Sequence, residues 1–213
     1  MSTESLNLES SGGLILEAEF DRAGAPRAAL VICHAHPGMQ GTMKSPLLIA
    51  IRDALTERDW SVLRFNFRGV GGSGGEFGDG VEEVDDALAA IRFVRAAHPD
   101  APIAILGWSF GAAVAMRAAA REAEVEACVA IAPSVVPKPG ISRGLPPPQE
   151  LGLDAPLLIV CGANDEVTPP EDARRWAAEA GALYHEIQAA NHFFWAKYEP
   201  LITTVTRFLD EAI

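Results

Sequence analysis

Apolar and polar positions along the chain change period repeatedly, and each change marks an element. Leu6-Asn7-Leu8-Glu9 and Leu14 to Phe20 flank Ser11-Gly12-Gly13, which predicts an N-terminal hairpin. Ala28 to Cys33 carries no polar side chain, as expected of a strand covered on both faces. Pro46 to Arg58 instead sets Leu47, Leu48, Ile51 and Leu55 at helical spacing. A strand over Ser61 to Asn66 leads into a Gly-rich loop, Gly69 to Gly80. Val81 to Ala97 reads as a helix with Val84, Leu88, Ile91 and Val94 on one face and Pro99 beyond its end. The apolar run Pro102 to Leu106 predicts a strand, and the helix formers of Ala112 to Ala118 a helix soon after it. Strands over Val125 to Ile131 and Pro156 to Cys161 follow, then a helix over Pro170 to Ala180 closed by Gly181. Leu183 to Gln188 is the last strand, and Pro200 to Ala212 a closing helix with proline near its first turn.

Repeated strand–helix units imply an α/β protein: three layers, α/β/α, around a mostly parallel twisted sheet with an N-terminal antiparallel hairpin. No repeat or interdomain linker breaks the series, so residues 1–213 read as a single domain without a separate cap domain. The proline-rich segment Pro133 to Pro156 is the long irregular connection, read as a loop over the sheet's edge.

Between the fifth predicted strand and its helix lies Gly107-Trp108-Ser109-Phe110-Gly111. G-x-S-x-G in a strand–turn–helix setting is the pattern of a nucleophile elbow; without that setting, Ser109 would read as an ordinary helix N-cap. A serine nucleophile needs a base, because its hydroxyl is protonated at neutral pH. Chemistry in an open parallel sheet gathers at the carboxyl ends of strands. That favours His34, His36 and His192 over His98, read as solvated at a helix end, and His185, read as a surface or sheet residue. Asp165 follows the penultimate strand and could orient an imidazole; alone it would read as a turn residue or cap, and Glu166 should point elsewhere. The chain order is Ser109, Asp165, His192.

Net charge of −12 argues against a nucleic-acid partner, since phosphate binding needs clustered Lys and Arg. Cys33, Cys128 and Cys161 each fall in an apolar run and read as buried thiols of a reducing compartment. Met1 to Ser5 lacks the basic start and apolar core of a signal peptide, and the uncharged stretch Ala101 to Met116 is too short to span a membrane. A cytoplasmic protein without a membrane partner is the expectation. No Cys-x-x-Cys or His-Glu-x-x-His pattern supports a metal, and the Gly69 to Gly80 loop lacks the Gly-Lys-Ser/Thr ending of a phosphate loop. No metal and no cofactor are expected; the oligomeric state stays open.

Five segments together resemble the α/β-hydrolases, in particular small serine hydrolases without a lid: Cys33-His34-Ala35-His36-Pro37, Arg64 to Ser73, the Ser109 elbow, Gly162-Ala163-Asn164-Asp165 and Asn191-His192-Phe193-Phe194. The resemblance spans roughly residues 30 to 195 and implies the α/β-hydrolase fold. It implies a catalytic triad of Ser109, Asp165 and His192, with the backbone N–H groups of His36 and Phe110 as oxyanion donors. It also makes the Arg-Gly-x-Gly-x-Ser segment, Arg68 to Ser73, a structural turn, with His34 structural beneath the site. Phe110 and Phe193 flank catalytic positions and are read as walls of an apolar substrate pocket; Phe194 and Trp195 are read as core. The implied activity is hydrolysis of small-molecule carboxylic esters, short-chain rather than long, through an acyl-enzyme on Ser109. A peptidase or thioesterase could use the same residues, a transferase or perhydrolase would need another acceptor than water, and a non-catalytic binding module could share the fold.

Overall fold

A computed structural model describes residues 3–139 and 142–213. Among the described residues, eight strands form one sheet: β1 Thr3–Glu9, β2 Ile15–Asp21, β3 Ala28–Cys33, β4 Trp60–Phe65, β5 Ile103–Trp108, β6 Val125–Ile131, β7 Leu157–Gly162 and β8 Leu183–Ile187. Their spatial order is β1-β2-β4-β3-β5-β6-β7-β8. β1 and β2 pair antiparallel, with Leu8 opposite Leu16, and β2 joins β4 antiparallel; all later pairings are parallel. The helices are α1 Pro46–Thr56, α2 Glu83–Ala97, α3 Phe110–Ala119, α4 Pro148–Leu151, α5 Pro170–Ala180 and α6 Tyr198–Ala212.

Alternation along the buried strands sorts side chains into two cores. Ala29, Val31 and Cys33 of β3, with Ile103 and Ile105 of β5, face a core closed by α2, α3 and α5. Ala28, Leu30 and Ile32, with Ala104 and Leu106, face a second core closed by α1 and α6. Helices on both faces explain why these strands are apolar at consecutive positions. All three cysteines lie buried and unpaired in the first core, where burial drives the thiols of Cys128 and Cys161 up to about 12.

The predicted elements all form, with shifts at their ends. β5 runs two residues further than its apolar run, to Trp108. Gly107 looks like a breaker in sequence, yet parallel pairing of Cys33 with Gly107 and Trp108 with Ile131 carries the strand through. α6 starts two residues before Pro200, and the Pro133 to Pro156 connection contains the short α4. That connection is tied to its neighbours: the Arg117 guanidinium donates to the Gly144 carbonyl and the Trp176 indole to that of Pro146. Two side-chain expectations need correction. His98 is buried, because its Nε2 accepts from the Ser61 hydroxyl, which itself accepts from the Ala23 N–H. Trp195, expected in the core, is 66% exposed.

No helix among the described residues is long and apolar enough to cross a membrane.

Candidate active site

Ser109 sits between β5 and α3 with φ 58° and ψ −116°, outside ordinary non-glycine backbone space. Such a residue costs on the order of 1–3 kcal/mol and persists only where its surroundings enforce it. Here they do. Its N–H donates to Ile131 at the end of β6 over 2.7 Å, and α3 begins at the very next residue. The hydroxyl makes no capping bond to the helix, which disposes of the N-cap reading.

The side chain instead meets His192. Nε2 of His192 lies 3.0 Å from Ser109 Oγ, and its Nδ1 lies 2.7 Å from Asp165 Oδ2. A carboxylate at Nδ1 fixes the proton there, leaving Nε2 free to accept from the serine. All three side chains are buried. They come from the loops after β5, β7 and β8, so three separate strand ends converge on one row of hydrogen bonds. Burial by itself would raise the Asp165 pKa. The bond and charge of His192, with N–H and O–H bonds from Thr168, outweigh it and hold the carboxyl below its usual range.

The backbone N–H groups of His36 and Phe110 donate to no acceptor among the described residues. Phe110 is the first residue of α3, where helical N–H groups lack an internal partner. The residue is 2% exposed, and its ring packs edge-on to His36 and Phe67. Phe193 is the half-buried aromatic beside the imidazole, with ring centroids 5.5 Å apart. His34 lies beneath: Nδ1 donates to the Ala35 carbonyl, and Nε2 accepts from the Phe67 N–H. Burial lowers its pKa to about 4, leaving a neutral clamp between the ends of β3 and β4. The Gly-rich turn is braced throughout, by Ser73 donating to the Asn66 carbonyl, by Glu17 accepting from Gly72, and by Arg68 paired with buried Asp86.

A family model described as serine aminopeptidase, S33, matches residues 24–154. The chain belongs to this family of α/β-hydrolases. An uncharacterized protein of Rickettsia prowazekii (strain Madrid E) is 33% identical over 205 residues, covering 91% of this chain and 84% of the relative. An α/β serine hydrolase homologue from Coxiella burnetii is similar in structure, with a TM-score of 0.84, 30% identity and 97% coverage of each chain. So is an α/β serine hydrolase without a lid from Xanthomonas campestris, with a TM-score of 0.83, 27% identity and coverage of 99% of this chain and 95% of the other.

In this α/β-hydrolase the matched region contains the elbow but ends before Asp165 and His192, which hydrogen bonds bring into line with Ser109. Two neighbours escaped the sequence reading. Trp108, in the first variable position of G-x-S-x-G, donates its indole N–H to the His192 carbonyl over 3.2 Å and so ties the elbow to the histidine loop. Nothing in the motif predicts that. Thr168 had a legible signal, because an aspartate three residues before a threonine can accept from the backbone ahead of it. Asp165 Oδ1 accepts from the N–H groups of Val167 and Thr168, while the Thr168 hydroxyl donates to Oδ2 over 2.9 Å. The Thr168 hydroxyl oxygen also lies 3.3 Å from His192 Nδ1.

Thr168→Val should therefore cost about 1–3 kcal/mol, the worth of a buried bond to a charged acceptor, and Thr168→Ser should recover most of it. The sign of the pH effect follows from the depressed Asp165 pKa. Its ionised form contributes stability above the unfolded carboxylate value, and this is lost as pH falls through the lower folded value. Valine lets the folded pKa rise toward the unfolded value, so less stability is present at neutral pH and its loss is complete at higher pH. Urea unfolding from neutral to acid pH measures both; parallel curves for wild type and Thr168→Val would contradict it.

Proposed function

We propose that this hydrolase cleaves carboxylic esters of small acyl groups through an acyl-enzyme on Ser109. The observation that carries the reading is the unbroken run of hydrogen bonds Asp165–His192–Ser109 ending on a strained nucleophile. In this mechanism His192 Nε2 takes the hydroxyl proton as Ser109 Oγ attacks the ester carbonyl. The oxyanion forms against the backbone N–H groups of His36 and Phe110, each such donor being worth about 3–4 kcal/mol. His192 then protonates the alcohol oxygen as the carbon–oxygen bond breaks. Water, deprotonated by the same Nε2, releases the acid and restores the serine. Asp165 keeps the imidazole oriented and stabilises its charged form.

The family's description supports a second reading, cleavage of an N-terminal peptide bond. Matched ester and anilide substrates with the same acyl group separate the two, the ester reading requiring much the faster turnover of the ester. A fluorophosphonate probe tests the nucleophile directly. Wild-type protein should be labelled and Ser109→Ala should not; equal labelling of both would refute the assignment.

A further inference from the structure

The sheet's carboxyl edge carries exposed apolar side chains. Among the described residues, Met39, Phe77, Val81, Val136 and Trp195 are exposed large hydrophobic side chains on the loops that leave the ends of β3, β4, β6 and β8. That is the edge that carries Ser109. Trp195 stands out among them, since Trp60, Trp108 and Trp176 are all buried. Its indole lies parallel to the ring of Phe193, centroids 4.9 Å apart and planes 14° from coincidence. Phe193 in turn meets the imidazole of His192 edge-on at 5.5 Å and the Trp108 ring at 6.0 Å. Aromatic contacts thus run from His192 through Phe193 to Trp195, which is exposed.

The backbone is forced to make this arrangement. Phe194 and Ala196, on either side of Trp195, both have positive φ, 54° and 58°. Each left-handed non-glycine residue costs about 1–2 kcal/mol. Phe194, fully buried in the second core, bolts the loop down, and its carbonyl accepts from the Lys197 N–H. Its neighbour is thereby turned to the solvent on top of Phe193. Leaving an indole in water forgoes the gain of burying it, about 25 cal/mol per Å² of apolar surface. Neither cost is offset by a contact that Trp195 makes within the core.

We propose that the Phe193–Trp195 stack is the leaving-group platform of the site, and that its substrates are esters of alcohols bearing a planar aromatic ring. The inference rests on the proposed ester cleavage, and it follows from the direction of proton return. His192 Nε2 must reach the departing oxygen, so the alcohol leaves on the imidazole side, away from the oxyanion donors at His36 and Phe110. The stack extends from that imidazole. A flat ring one or two bonds beyond the ester oxygen continues the stack on the open face of Trp195, where aromatic pairs gain from offset stacking beyond area alone.

Benzyl acetate and cyclohexylmethyl acetate test it, because they share acyl group, length and a similar leaving alcohol and differ in the flat ring. Wild-type protein should favour the benzyl ester by about three- to tenfold in kcat/KM. Trp195→Ala and Trp195→Leu should reduce that ratio to near unity, and Trp195→Phe should restore most of it. A ratio near unity in wild type, or one unmoved in Trp195→Ala, overturns the platform. Binding gives an independent readout: in Ser109→Ala protein, benzyl acetate should shift the exposed indole's fluorescence to shorter wavelength in a saturable way, and ethyl acetate should not. A shift without ester turnover by wild type would keep the aromatic site and discard ester cleavage; turnover without a shift would do the reverse.

Discussion

Ser109→Ala is expected to lower kcat for ester hydrolysis by about 10⁶-fold, and His192→Ala by about as much. The two groups act on one proton, so the double variant should be no slower than either single one. Asp165→Ala should cost less, about 10⁴-fold, because an imidazole without its carboxylate is misoriented yet still basic. That ordering separates a hydrogen-bonded relay from three residues that happen to be adjacent, for which losses would add. The backbone supplies a control. Ser109 holds φ at 58°, so Ser109→Gly should be as inactive as Ser109→Ala while gaining about 1 kcal/mol of stability from relieved strain. Steady-state kinetics and thermal unfolding measure the two effects separately. A His192→Ala protein within tenfold of wild type would remove the imidazole from the mechanism.

What the sequence makes legible here follows from how far each signal depends on contacts distant in the chain. Strand and helix identity are local: Ala28 to Cys33 or Leu47-Leu48-Ile51-Leu55 declare themselves through periodicity, because each face must be buried whatever covers it. The proposed nucleophile, acid and base are legible because strand ends collect in a parallel sheet, so position after a strand already limits where Ser109, Asp165 and His192 can go. Side-chain direction is another matter. Trp195 and Phe194 are adjacent aromatics with the same local credentials, and only two left-handed residues decide that one is buried and the other exposed. His98 beside a proline reads as solvated, yet Ser61, far away in sequence, supplies the partner that lets it stay buried. Phe110 illustrates the same limit from within the motif: its place in the chain gives its N–H, whereas its ring is claimed by His36, Phe67 and Phe77.

The elbow's glycines show the gap most sharply, and they yield the second large effect. A Gly-x-Ser-x-Gly sequence invites the view that glycine is there to bend the chain. Yet neither Gly107 nor Gly111 has positive φ, and the strained residue is the serine between them. What both glycines allow is contact. A Cβ on Gly111 would lie 2.2 Å from the His34 carbonyl oxygen and 2.5 Å from that of Cys33, and a Cβ on Gly107 would lie 2.1 Å from the carbonyl oxygen of Gly111. These obstacles are main chain, so no rotamer change can clear them, and the start of α3 must move away from the end of β3. Gly111→Ala should therefore destabilise the protein by about 3 kcal/mol or more, at the upper end of overpacking costs. Gly24→Ala is the matched control, with ordinary φ and nothing within 4 Å of its added methyl; it should be neutral or slightly stabilising. Activity should fall further than stability explains. The displaced α3 carries the Phe110 N–H, while the chain it must leave runs from Cys33 and His34 directly to His36, so the two proposed oxyanion donors separate. Urea unfolding together with kcat/KM, measured where Gly111→Ala remains folded, checks both parts. Wild-type stability in that variant would mean that the packing of α3 against β3 is far looser than these distances require.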